Sequence, residues 1–320
     1  MQIEFKRGFI VYRENEEPLV ICPHSGPSLI NANGRDDNSD TIGSLLWQEY
    51  HGILVIGNMP RRRLYGIDFN RDIPELKTAL DAYEKFSDNS DTLFKLDYMR
   101  KFAFVALNED DYYHRLRIYQ NFWSECENAK IILLVHRAYN RIKGMPSMID
   151  FITFKGKGLE KTMIKNILNY VNRAYFDFFR EVNKMYKQMV MLETERMVVN
   201  TLRKYNKFNL NEMSLDLRNS YLADMKVIKQ YSNDFLFRRM NRDFEPVNYL
   251  NAARSAIENC TLPRITLEEV FDGSLALGPK RKLFPMQDKL IVEIEVCEFL
   301  AEWYPEMTVK IIKEVVEMLK

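Results

Sequence analysis

Two histidines stand directly after apolar runs. His24 follows Leu19, Val20, Ile21, Cys22 and Pro23, and His136 ends the run Ile131, Ile132, Leu133, Leu134, Val135. Asp36, Asp37 and Asp40 come soon after the first of them. Two neutral imidazoles and a carboxylate make a three-donor zinc site with a fourth position open to water, and zinc brings the pKa of that water to about 7. The expected ligands are therefore His24, Asp40 and His136, with Asp37 as the alternative to Asp40, holding one zinc (Zn2+) per chain. The competing reading is that each histidine is a hydrogen-bonded polar residue at a strand end, since their separation fits no compact metal motif.

Other residue types extend the chemistry. Asn70 and Arg71 could clamp a carboxylate through a charge-assisted bidentate bond; alternatively Arg71 pairs with Asp68 or Asp72 as a structural ion pair. Glu293 and Glu295 are two apart in an apolar strand and share a face. Either could serve as a general base, or both could line a wet edge-strand face. The run Arg61, Arg62, Arg63 offers an electrophilic arginine or a basic surface patch. His51 and His114, beside and within charged helical stretches, read as surface residues.

The elements that must position these groups follow from periodicity. Short apolar runs predict strands at 3–5, 9–12, 19–22, 53–56, 131–135, 148–154 and 290–296, and residues 64–71 alternate in the manner of a further strand. Apolar spacing of three and four predicts helices over 41–50, 74–86, 111–128 and 307–319. Strands alternating with helices imply an α/β fold with a mixed, mostly parallel sheet flanked by helices. In such a sheet ligands bind beyond the carboxyl ends of the strands, where His24, residues 68–71 and His136 all fall. Between Leu159 and Glu245 there is neither glycine nor proline, which predicts a large helical insertion at 156–245 between core segments 1–155 and 246–320. The proline- and glycine-punctuated stretch that follows it has the character of a loop lying over a site.

Composition narrows the function classes. With 46% hydrophobic and 28% charged residues and a formal net charge of +1, the chain has the make-up of a globular protein and no global field to draw nucleic acid or anionic membrane. A small-molecule substrate is the expected partner. The four cysteines form no closely spaced pair, so they read as free thiols, and without an export signal or spanning segment the expected compartment is cytoplasmic.

The motifs also carry a resemblance. Pro23-His24-Ser25-Gly26, the stretch from Asp40 to Leu46, Gly66-Ile67-Asp68-Phe69-Asn70-Arg71, Leu133 to His136 and Ile294-Glu295-Val296-Cys297 occur in an order that resembles the N-formylglutamate amidohydrolase family. That family is similar in turn to the zinc carboxypeptidases. The resemblance implies a zinc carboxypeptidase-like core, zinc on His24, Asp40 and His136, a substrate carboxylate on Asn70 and Arg71, and Glu295 as general base. The implied activity is hydrolysis of an amide or formamide bond in an N-acylated amino acid or short peptide. The family's arginine four residues before the aspartate is replaced here by Leu64, so Arg63, one position away, is the expected electrophilic arginine. Nothing in residues 155–260 resembles the family. The alternative function is a non-catalytic adaptor on the same fold that binds a protein partner through the helical insertion.

Overall fold

Period-two alternation along each inner strand sends apolar side chains to both faces of the sheet, and two helical layers cover them. The computed structural model describes residues 1–27, 35–88, 91–138, 141–143, 145–157, 159–205, 208–219, 221–222, 251, 254–255, 257–259, 262–269, 271, 273 and 289–319. Among them nine strands form one sheet: β1 (Gln2–Lys6), β2 (Phe9–Arg13), β3 (Leu19–Cys22), β4 (Ile53–Gly57), β5 (Ile131–Ala138), β6 (Arg141–Lys143), β7 (Met145–Ile152), β8 (Arg264–Leu267) and β9 (Leu290–Cys297). Their order is β1-β2-β4-β3-β5-β9-β7-β6, with β8 paired to β7.

The centre, β4-β3-β5-β9, is parallel, and β1, β2 and β7 add antiparallel neighbours. Buried apolar runs such as Leu19–Cys22 suit such a centre, which is covered on both faces. From β3 the chain crosses to β4 on one side and later enters β5 on the other, so the order reverses at β3. A crevice opens at such a reversal, beyond the carboxyl ends of the strands.

One face carries α1 (Ser39–Tyr50), α5 (Lys161–Ala174), α6 (Phe176–Tyr205), α7 (Glu298–Trp303) and α8 (Pro305–Glu317); the other carries α2 (Leu76–Asp88) and α4 (Glu109–Ser124), with α3 (Thr92–Lys101) beside α2. Val20, Cys22, Leu133, Val135, Val292 and Ile294 face the first layer. Leu19, Ile21, Ile132, Leu134 and Ile291 face the second. α1 approaches β3 closely at Gly43, where a Cβ would lie 2.2 Å from Cys22 Sγ.

The stretch without glycine or proline supplies α5 and α6, whose Ile164, Val171, Phe179 and Tyr186 pack in the same core as the strands. Over its described part it is therefore a covering layer of the sheet. Residues 223–245 and most of the punctuated stretch after them lie outside the described residues, as does Cys260. Cys22, Cys126 and Cys297 are buried free thiols. Among the described residues no helix is long and apolar enough to cross a membrane.

One local expectation fails, and one helix was not anticipated. Residues 64–71 are a succession of turns rather than a strand, because Asp68 folds the chain onto itself: its Oδ1 accepts the Asn70 backbone N–H at 3.0 Å, and Arg71 N–H donates to the Asp68 carbonyl at 3.2 Å. Asp side chains compete for backbone donors in this way and draw a segment out of regular structure. Helix α3 went unread because its apolar residues, Leu93, Phe94, Leu96, Tyr98 and Met99, are spread around the helix instead of along one face; an Asp91 cap accepting from Phe94 N–H starts it.

The second layer rests on Phe122, which is fully buried, stacks on Phe69 at a centroid distance of 4.0 Å and meets Phe9 edge-on at 5.4 Å. Phe122→Ala should cost about 3–5 kcal/mol in chemical denaturation, the range for truncating a buried phenylalanine. A loss under about 1 kcal/mol would show that this layer is not load-sharing core.

Candidate metal centre

β3 and β5 are adjacent and parallel, with Ile21 opposite Leu134, so the ends of two sequence-distant strands bring His24 and His136 together. Their rings meet at a centroid distance of 4.9 Å. Asp36 Oδ2 lies 3.1 Å from His24 Nδ1 and 2.9 Å from His136 Nδ1, and one donor atom from each of the three residues falls within 4.8 Å of the others. All three side chains are largely buried. This group could hold a metal ion.

The carboxylate that completes the group is Asp36, which corrects the expectation of Asp40. Backbone geometry decides between them. Asp36 N–H donates to the His24 carbonyl at 3.0 Å and Ser39 N–H donates to the Asp36 carbonyl at 3.0 Å, so Asp36 is tied across the end of β3 before α1 begins. Asp40 is already in the first turn of α1, and its carboxylate accepts from Arg35 Nη2 at 3.0 Å. Asp37, the alternative, is mostly exposed and faces Arg35 and Arg137. The signal in the sequence was the helix start: an acid just before it can turn back to the strand end, while one inside the helix is carried away.

Asp68 backs His24 from behind, with Oδ1 at 3.0 Å from His24 Nε2. A carboxylate on the far nitrogen of a histidine fixes its tautomer and ring orientation, leaving Nδ1 as the donor toward a metal. The donor set thus fits a divalent ion that takes nitrogen and oxygen. His136 Nε2 is buried and has no hydrogen-bond partner among the described residues.

Arginines compensate the buried carboxylates. Arg61 places Nε 3.3 Å from Asp68 Oδ2 and Nη1 3.5 Å from Asp36 Oδ1, and Arg63 Nη2 lies 3.0 Å from Asp68 Oδ2. Burial pushes the Asp36 carboxyl upward, but the charge on His24, hydrogen bonds from both histidines and Arg61 hold it well below the usual carboxylate range. Burial likewise works against ionised Asp68, and Arg61, Arg63 and His24 outweigh it. For Arg63 burial wins, bringing the guanidinium down to about 10 against the pull of Asp68.

Of the basic run only Arg62 is exposed, and Arg63 is buried. Its guanidinium is 5% exposed and donates to the Phe102, Arg61 and Met99 carbonyls as well as to Asp68. Four of its five N–H donors have these partners, so Arg63 is a buried staple. Arg61, a quarter exposed over Asp36 and Asp68, is the guanidinium at the crevice; the basic run included it, but the resemblance pointed to Arg63 instead.

In β9 the register places Glu295 directly opposite His136. Glu293 and Glu295 lie on the same face as Ile291, so Glu295 is beside the histidine and Glu293 one pleat deeper. Glu295 acts on the charge of Arg61 and Glu293 on that of Arg71. Glu293 is only 3% exposed, not a surface group. Asn70 is also buried, and its Oδ1 has no hydrogen-bond partner among the described residues. Arg71 makes no ion pair with Asp68 or Asp72 among those residues; Nη1 donates to the Asn70 carbonyl at 2.9 Å and its buried Nε is unpartnered among them. His51 is exposed against Glu14, as expected, whereas His114 is partly buried.

Comparison with family models, with curated proteins and with solved structures finds no match to this chain.

Equilibrium dialysis of the metal-stripped protein against zinc should return about one ion per chain. Asp36→Asn should weaken that binding by more than about 100-fold, beyond the usual cost of an outer-sphere change, while Asp40→Asn leaves it within a few-fold. The reverse ranking would mean that Asp40, not Asp36, is the ligand.

Proposed function

We propose that the chain is a zinc-dependent amidohydrolase that cleaves the amide or formamide bond of an N-acylated amino acid or short peptide with a free carboxylate. The observation that carries the reading is the convergence of His24, Asp36 and His136 at the reversal of strand order, with a carboxylate, Glu295, paired in register beside His136. The resemblance of the His24 and Asp68–Arg71 segments to N-formylglutamate amidohydrolases, and through them to zinc carboxypeptidases, points the same way.

His24, Asp36 and His136 would hold the zinc, which when bound supplies a Lewis acid and a water acidified to about pKa 7. Glu295 accepts a proton from the attacking water and returns it to the departing amine, the task of a positioned carboxylate. Arg61 donates to the carbonyl oxygen as it gains negative charge; it stays protonated because Asp68 and Asp36 more than offset its burial. Arg63, bonded to three backbone carbonyls, holds Asp68 and through it His24. Arg71 takes the substrate carboxylate with its unsatisfied guanidinium edge, and Asn70 offers its amide beside it. Glu293, near Arg71, tempers the positive charge there when no substrate is bound.

The test is turnover of a panel of N-formyl and N-acetyl amino acids by zinc-loaded protein, followed by release of free amine. Glu295→Gln should keep zinc binding and lose activity by a factor on the order of 10²–10⁴. Full activity in that variant, with loss in Glu293→Gln, would move the base to Glu293. A wild-type chain that binds no zinc and hydrolyses none of the panel is instead the non-catalytic adaptor.

A further inference from the structure

The segment that carries Asp68, Asn70 and Arg71 has no strand geometry, so most of its carbonyls cannot be satisfied by a ladder. One face of α4 satisfies them. Tyr112, Arg115, Tyr119 and Trp123 recur at spacings of three and four along that helix, which places them on one face. Each donates to a backbone carbonyl between 64 and 74. Tyr112 Oη reaches Pro74 at 2.9 Å, Arg115 Nη1 reaches Gly66 at 3.0 Å and Nη2 reaches Leu64 at 3.2 Å, Tyr119 Oη reaches Arg71 at 2.7 Å, and Trp123 Nε1 reaches Phe69 at 3.0 Å. Arg115 is itself oriented by Asp111, one turn earlier, through Nε at 2.9 Å.

We infer that α4 is the gauge for the substrate-binding segment, and that Tyr119 is a positioning residue for Arg71, fixing the backbone from which the carboxylate-binding guanidinium projects. This rests on the function proposed above. The geometry is specific to Tyr119 among the four donors, because only its bond ends on the carbonyl of Arg71 itself. Tyr119 is 4% exposed, and a carbonyl deprived of its donor in a largely buried place shifts or loses definition. The packing that supports the phenol is independent of the bond: Phe69 stacks on Phe122 and lies 6.2 Å from the Tyr119 ring. Tyr119→Phe therefore removes one hydroxyl and leaves the wall in place. Loss of definition at Arg71 weakens capture of the carboxylate without touching Glu295, Arg61 or the metal ligands, and its signature is a rise in KM with kcat kept.

The experiment uses the full chain loaded with zinc and a panel of N-formyl amino acids, with binding read by calorimetry on the Glu295→Gln background and turnover on the native background. Tyr119→Phe should weaken binding and raise KM about tenfold, the size of one lost hydrogen bond, with kcat within about twofold and zinc affinity unchanged. Tyr186→Phe is the control: its phenol also donates to a buried carbonyl, that of Ser147 on the other side of the sheet, so it should lower thermal stability and leave KM alone. Equal KM in Tyr119→Phe and wild type, or a fall in kcat alone, overturns the role of Tyr119. Wild-type protein that binds the panel without hydrolysing it refutes the amidohydrolase reading, while weaker binding by Tyr119→Phe would still support the positioning role. Wild-type protein that binds none of the panel overturns both.

Discussion

The charge on Asp68 is the point on which the site turns. This carboxylate is 1% exposed and sits among His24 Nε2, Asn70 N–H, Arg61 and Arg63, with its two oxygens divided between them: Oδ1 takes the histidine and the backbone, Oδ2 the two guanidiniums. An ionised carboxylate in such a place is tolerated only because every lone pair meets a donor. Each of those donors is a different part of the site. Breaking a buried arrangement of this kind by removing one partner typically costs about 3–5 kcal/mol, because the surviving charges are left without compensation. One side chain thus sets the tautomer of His24, draws Arg61 to the crevice, holds Arg63 in the wall and bends the chain that carries Asn70 and Arg71.

The opposite sides of the sheet divide the labour. Toward α1, α5, α6, α7 and α8 the inner strands present aliphatic side chains. Toward α2 and α4 the same strands begin with aliphatic residues and end, at the carboxyl edge, in His136 and Glu295. The polar cluster therefore lies on the rim of an apolar layer rather than within it. That placement leaves Arg61 a quarter exposed while Asp68 and Arg63, a few ångströms away, are nearly sealed.

Much of this could be read from the sequence, and what could not has local causes. Apolar runs of strand length marked β3, β4, β5 and β9, because central parallel strands are buried on both faces and need no alternation. The histidines were legible for the same reason: a polar ring directly after such a run has few places to go but the strand end. Asp36 was missed because the choice among three nearby acids depends on where a helix starts to within one or two residues, the least determinate feature of any pattern. Residues 64–71 misled because Tyr65, Ile67 and Phe69 alternate like a strand; Tyr65 is in fact 58% exposed while the other two are buried, and an aspartate hydrogen-bonded to its own backbone overrode the period. The run Arg61 to Arg63 was read as either an electrophile or a surface patch, with Arg63 as the expected electrophile, because how deeply a guanidinium is buried depends on partners far away in the chain, which no local window contains.

The pairing of β5 with β9 keeps one strict register from Ile131 opposite Leu290 to Ala138 opposite Cys297. The offset between His136 and Glu295 is therefore a lattice constant of the sheet, about 4.8 Å between neighbouring strands, and not a distance negotiated by loops. Insertions or losses in the connecting segments do not retune that offset as long as the register is kept. A single-residue slip of β9 would be another matter, since it would turn Glu295 to the opposite face together with every apolar neighbour. Variation is thereby channelled: the surroundings are free to drift, while the spacing of imidazole and carboxylate either persists whole or is lost whole.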